Sequence, residues 1–148
     1  MHLLFVGNGH LQKLLIANAK DNSNIHFIDF QNQMQMPVIY QACDLFCLPS
    51  QGPGETWGLA VNEAMACRKA VLVSDKVGCA IDLVKPGING DIFRFNDKEK
   101  LYSYLKEYYA SKGKLKSYGA RSKDIITDWN FIKIAEAIEK KLLNEPDS

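Results

Sequence analysis

Five short apolar runs, each bounded by turn residues and separated by a stretch of helical pattern, constrain this chain most. They cover residues 3–6, 25–28, 45–48, 70–73 and 91–95. Runs of this length with little polar alternation read as strands buried on both faces. The segments between them carry the opposite period: Leu11, Leu14 and Leu15 lie at the i, i+3, i+4 spacing of one buried helical face. Strands that alternate with helices predict an α/β chain with a doubly wound parallel sheet and helices on both faces. In such sheets ligands bind outside the carboxyl ends of the strands.

Composition permits this architecture. At 148 residues the chain forms one domain with a single sizeable core, expected over residues 1–143, with a frayed tail over 144–148. Hydrophobic residues make up 47% and charged residues 24%, ordinary for a globular protein. A net charge of +1 lacks the basic excess that marks nucleic-acid partners. No run approaches the ~18 apolar residues of a membrane span, and no signal-peptide pattern opens the chain. A cytoplasmic location is the expectation.

The four cysteines, Cys43, Cys47, Cys67 and Cys79, fit neither a zinc-ligand spacing nor a Cys-x-x-Cys redox pair. They are expected to be reduced and buried, as small hydrophobes. The three histidines are scattered, so no metal is expected. Gly7-Asn8-Gly9 after the first run is a tight strand-to-helix turn or an approach to a bound nucleotide; without a third glycine the motif decides neither. Pro37 opens a short helix through Ala42. Asn96 with Glu99 forms a plausible capping box, followed by a core stripe of Leu101, Tyr104, Leu105 and Tyr108. Further on lie the basic residues Lys112, Lys114, Lys116, Arg121 and Lys123, then a last helix with Phe131, Ile134, Ala135, Ile138 and Leu142 on one face.

Chemistry concentrates after the third run. Gln51 to Gly54 is a glycine-bearing loop, and the following segment, Glu55-Thr56-Trp57-Gly58-Leu59-Ala60-Val61-Asn62-Glu63-Ala64-Met65-Ala66, turns helical. Strand, glycine loop and helix together aim backbone N–H groups and a helix dipole at an anion. Glu55 stands in the loop and Glu63 about two turns into the helix. Carboxylates accept paired hydrogen bonds from vicinal hydroxyls, so a sugar can be held beside a phosphate. Paired glutamates also suggest a glycosidase, but nothing sets these two facing each other across a scissile bond.

The Glu55-x7-Glu63 pattern resembles the signature of glycosyltransferase family 4, retaining enzymes of the GT-B fold that use nucleotide-sugar donors. Leu3-Leu4-Phe5-Val6-Gly7-Asn8-Gly9, Asn24-Ile25-His26-Phe27, Ala42-Cys43-Asp44-Leu45-Phe46-Cys47-Leu48-Pro49-Ser50, Val73-Ser74-Asp75-Lys76-Val77-Gly78-Cys79 and Pro86-Gly87-Ile88-Asn89-Gly90 are similar to neighbouring pieces of that family. The likeness runs from Leu3 to about Leu143 and covers only the C-terminal, Rossmann-like donor-binding half of such an enzyme. It implies that Glu63 binds the ribose hydroxyls of a UDP-, GDP- or ADP-sugar. Glu55 is implied as the catalytic-site residue at the transferred sugar, which Gly54 and the N–H groups of Thr56, Trp57 and Gly58 also face. Leu59 and Ala60 are implied to face the diphosphate, and Gln31 and Gln33 to border the nucleotide base. Neither a cofactor nor a metal is implied.

The family's Arg and Lys pair and its N-terminal acceptor-binding domain are absent from these residues, so the chain alone is expected to be incomplete and inactive. Arg68 stands where the family often has glycine to relieve left-handed strain. Membrane lipids are common acceptors in the family. The basic segment is therefore either a solvated helical surface or a peripheral contact with an anionic membrane, at the inner membrane surface. Two other readings of the whole chain remain: a nucleotide-binding or interaction module without turnover, and a nucleotide-sugar epimerase or hydrolase on the same fold.

Overall fold

The computed structural model describes residues 1–144; residues 145–148 of the tail expected to fray lie outside the described residues. The chain divides into two compact units, residues 1–39 and 40–148. In the first, β1 (Leu3–Val6) and β2 (Ile25–Ile28) pair in parallel, Leu3 beside Ile25 and Phe5 beside Phe27. A parallel pair needs a crossover, which α1 (Gln12–Ala19) supplies. The Gly7–Gly9 segment is the tight turn into α1: Gly7 has a φ of 113°, and its N–H donates to the Ile28 carbonyl at 2.9 Å.

One expectation fails in this unit. α1 buries no residue, and Leu11, Leu14 and Leu15 are 50%, 56% and 38% exposed. The helical period is present, but a two-stranded ladder offers too little area to cover the stripe.

The second unit holds the core. β3 (Leu45–Leu48), β4 (Ala70–Ser74) and β5 (Gly90–Phe93) form a parallel ladder in the order β3-β4-β5. Every residue of β4 is buried, as expected of a continuous apolar run between two partners. α2 (Met36–Ala42) enters this unit at Tyr40; its first helical residue is Met36, one before Pro37. α3 (Leu59–Ala66) joins β3 to β4, and the one-turn α4 (Ala80–Leu83) joins β4 to β5. Three longer helices follow: α5 (Lys98–Ala110), α6 (Lys112–Thr127) and α7 (Phe131–Asn144).

The predicted stripe of α5 packs as expected. Leu101, Tyr104 and Leu105 lie against a core of Ala70, Leu72, Phe93, Tyr108, Leu115 and Tyr118. Tyr108 donates a hydrogen bond to the buried Asp91 carboxylate on β5. Burial, and then this carboxylate, push the Tyr108 phenol far above its usual range. The cap of α5 differs from expectation. Asp97, not Asn96, is the N-cap and accepts from the Lys100 N–H at 2.8 Å; an aspartate one residue later reaches the third amide without a longer loop.

Lys112, Lys116, Arg121 and Asp124 of α6 are exposed while Leu115, Tyr118, Ser122 and Ile126 are buried; Lys114, half-buried, pairs with Glu107 at 2.5 Å and lies over the Tyr108 and Tyr118 rings. α7 is amphipathic as expected, yet its apolar residues are exposed, Phe131 at 90% and Leu142 at 68%. Of the four cysteines, all unpaired, Cys79 is fully buried and the others half-buried. Burial lifts the thiols of Cys43, Cys47 and Cys79, that of Cys47 to about 12.

Candidate donor-sugar and nucleotide site

The second unit places Gly54 to Ala60 and Glu63 together at the carboxyl ends of β3 and β4. β3 stops at Pro49, and the loop 51–58 carries the chain to the first turn of α3. Gly58 occupies the N-cap position with a φ of 96°, a backbone conformation that an L-residue adopts only with strain. A glycine cap has no side chain to satisfy the first amides of the helix. Among the described residues, no acceptor meets the N–H groups of Leu59 and Ala60. They are open donors at the positive end of a helix dipole.

The loop after β4 holds this arrangement from below. The Cys79 N–H donates to the Trp57 carbonyl at 2.8 Å, and the Cys79 thiol lies 3.8 Å from the Gly58 carbonyl. A Cβ at Gly78 would stand 1.9 Å from the Thr56 carbonyl oxygen, so only glycine permits the two loops to meet. Ser74, fully buried at the end of β4, donates to the Ser50 carbonyl at 2.5 Å. Thus the carboxyl ends of two neighbouring strands are tied where a ligand of a parallel sheet is expected.

In the chain, Glu55 precedes the open amides and Glu63 follows them. Glu55 is half-buried, with Oε2 3.4 Å from the Ser50 hydroxyl, a long contact that leaves it free to accept other donors. Glu63 is the fifth residue of α3, one turn into the helix rather than two, because α3 begins only at Leu59. Its Oε2 accepts from the Tyr40 hydroxyl at 2.8 Å. Burial, and then the Glu63 carboxylate, push the Tyr40 phenol well above the usual range, so it stays protonated and donates. Trp57 is half-buried; its indole N–H donates to Asn62 at 3.1 Å and its ring meets Trp129 at 5.8 Å.

Gln31 and Gln33 belong to the first unit. Gln31 is half-buried and donates to the Asp29 carbonyl at 3.1 Å, whereas Gln33 is exposed. Sequence reasoning missed Tyr40, Ser74 and Gly78 as parts of the site. Ser74 and Gly78 both lie inside a motif quoted for the family likeness, and Gly78 was legible as a glycine near a strand end. Nothing local marks Tyr40, which stands 23 residues before its partner.

α3 turns off sharply after the site. Arg68 has a φ of 60°, the left-handed conformation anticipated where the family has glycine. The Arg68 N–H bonds to the Met65 carbonyl and the Lys69 N–H to the Ala64 carbonyl, at 2.9 and 3.0 Å. That pair of bonds is the Schellman ending of a helix, formed here by a side-chain-bearing residue.

Comparison with known proteins agrees with this architecture. The chain superposes on sucrose-phosphate synthase (tll1590) from Thermosynechococcus elongatus with a TM-score of 0.79 and 21% identity, covering 96% of this chain and 38% of that one. Anabaena Alr3699/HepE, solved in complex with UDP, gives a TM-score of 0.80 and 22% identity, covering 98% of this chain and 41% of HepE. For the C-terminal domain of the group 1 glycosyl transferase LpcC from Francisella tularensis the values are 0.66 and 22%, with 78% of this chain and 58% of that one covered. The chain therefore spans about two fifths of the length of the first two. No curated protein matches. The fold is the α/β arrangement of GT-B glycosyltransferase C-terminal domains, with parallel strands flanked by helices. The family model for glycosyl transferases group 1 matches residues 1–124, more than four fifths of the sequence, and the chain belongs to that family.

Proposed function

We propose that this chain is the donor-binding half of a retaining glycosyltransferase that moves a sugar from a nucleoside diphosphate to an acceptor hydroxyl. One observation carries the reading: in a member of this family, the uncapped N-terminus of α3 follows the carboxyl end of β3, with Glu55 in the loop before it and Glu63 one turn into the helix. Glu63 accepts from the ribose hydroxyls, and Glu55 from hydroxyls of the transferred sugar. The N–H groups of Thr56, Trp57 and Gly58 face that sugar. Those of Leu59 and Ala60 receive the diphosphate. As the bond from the anomeric carbon to the diphosphate breaks, negative charge grows on the leaving oxygen, and fixed donors there stabilise it without reorganising.

Two solved structures of HepE, with UDP and with UDP-glucose, give a precedent for such a donor on the same fold. The acceptor site and the remaining diphosphate contacts come from a second α/β half. Peripheral contact with an anionic membrane through the exposed Lys112, Lys116 and Arg121 belongs to the same reading, and salt-sensitive co-sedimentation with phosphatidylglycerol vesicles checks it.

Calorimetric titration with UDP, GDP and ADP tests the reading, repeated on Glu63→Ala. One nucleotide binds, and the variant weakens it at least ~tenfold, about 1.4 kcal/mol. If none of the three binds, the titration is repeated with the chain joined to its upstream half; continued silence rejects the reading. Release of free sugar or an epimer from a nucleotide sugar without acceptor would favour a hydrolase or epimerase instead.

A further inference from the structure

Tyr40 is 2% exposed, on a short helix of the same unit as Glu63. Its ring meets Phe46 of β3 edge-on, with centroids 5.7 Å apart and an interplanar angle of 76°. Strand and ring together fix where the phenol oxygen lies. That oxygen donates to Glu63 Oε2 at 2.8 Å. A carboxylate offers about four lone-pair positions. One is taken by Tyr40, leaving the rest of a half-buried group to meet a vicinal diol. A glutamate has several rotatable bonds, and an unanchored one must be ordered each time a ligand binds. Anchoring one oxygen on a buried phenol removes most of that freedom beforehand.

We propose that Tyr40 is a positioning residue for nucleotide recognition: its hydroxyl holds Glu63 in the orientation that accepts the two ribose hydroxyls of the donor. The inference rests on the donor-site reading above and deepens it. Tyr40 itself is buried, and this role needs no contact between it and the ligand. A purely structural role, in which Glu63 serves only to satisfy a buried phenol, predicts a different pattern of binding.

The test compares the wild-type chain with Tyr40→Phe, which keeps the ring against Phe46 and deletes only the hydroxyl. The probes are whichever of UDP, GDP and ADP the wild type binds most tightly, and the 2′,3′-dideoxy form of that nucleotide. The wild type prefers the ribose form by about tenfold, the scale of hydrogen bonds to a charged acceptor. Tyr40→Phe lowers affinity for the ribose form about fivefold, leaves the dideoxy form unchanged and so collapses the preference. In a Glu63→Ala background the same change has no further effect on affinity. A thermal melt verifies that Tyr40→Phe is folded.

A Tyr40→Phe variant that keeps the full preference overturns the positioning role and leaves the donor reading intact. Equal losses for both probes also overturn it, since they indicate general loosening. A wild type that does not distinguish the probes, or that still binds none when joined to its upstream half, rejects the ribose role of Glu63 and this inference with it.

Discussion

The residues that matter most here are ones whose backbone or partner is unusual. Arg68 is the one non-glycine residue with positive φ among the described residues. Its left-handed conformation costs roughly 1–2 kcal/mol, offset in part because glycine loses more freedom on folding. Arg68→Gly should therefore stabilise the chain by about 0.5–1 kcal/mol, read as a higher urea midpoint with unchanged slope. A lower midpoint would mean that the arginine side chain makes a stabilising contact larger than the strain. Glycine was anticipated at this position from the family pattern, and the strain that its absence leaves is what the backbone displays. Tyr40 is the opposite case. Its position is unremarkable in sequence, and its importance arises from what tertiary packing brings to its hydroxyl.

Among the elements, the loop 51–58 depends on the loop that follows β4. The Cys79 N–H to Trp57 carbonyl bond and the bare Cα of Gly78 let the two approach to backbone contact. Gly78→Ala puts a methyl 1.9 Å from the Thr56 oxygen, so one loop must move. The expected result is a loss of about 1–3 kcal/mol in stability, as for other overpacked sites. Nucleotide affinity should fall alongside it, because the amides of Thr56 to Ala60 shift. A variant with wild-type affinity in the titration would separate the loop contact from the site. The strands, by contrast, were legible within a residue or two. β4 is read as 70–73 and observed as Ala70–Ser74, because a run buried on both faces has no alternation to misplace. Helix starts were less legible. α3 begins four residues after Glu55, and α5 is capped by Asp97, because several nearby polar residues can each serve and loop geometry selects among them.

For the whole molecule, burial is unevenly shared. No residue of the unit 1–39 is fully buried, whereas Val61, Met65, Val71, Leu72 and Val73 of the second unit are 0% exposed. Amide exchange followed by mass spectrometry should accordingly find peptides spanning 61–73 protected longest, with those spanning 3–28 exchanging far sooner. Uniform protection across both would contradict this division. By itself, the sequence determined the order of strands and helices, the parallel α/β class, and the glycine loop with its two carboxylates. Those properties are written in local periodicity and in glycine spacing, which neighbouring residues carry without reference to the rest of the chain. Only the tertiary structure decided that Leu11, Leu14 and Leu15 stay exposed, that Gly78 meets Thr56, and that Tyr40 holds Glu63. Each depends on where elements distant in sequence cross, and a hydrophobic period or a lone tyrosine records what a residue can pack against without recording what arrives there.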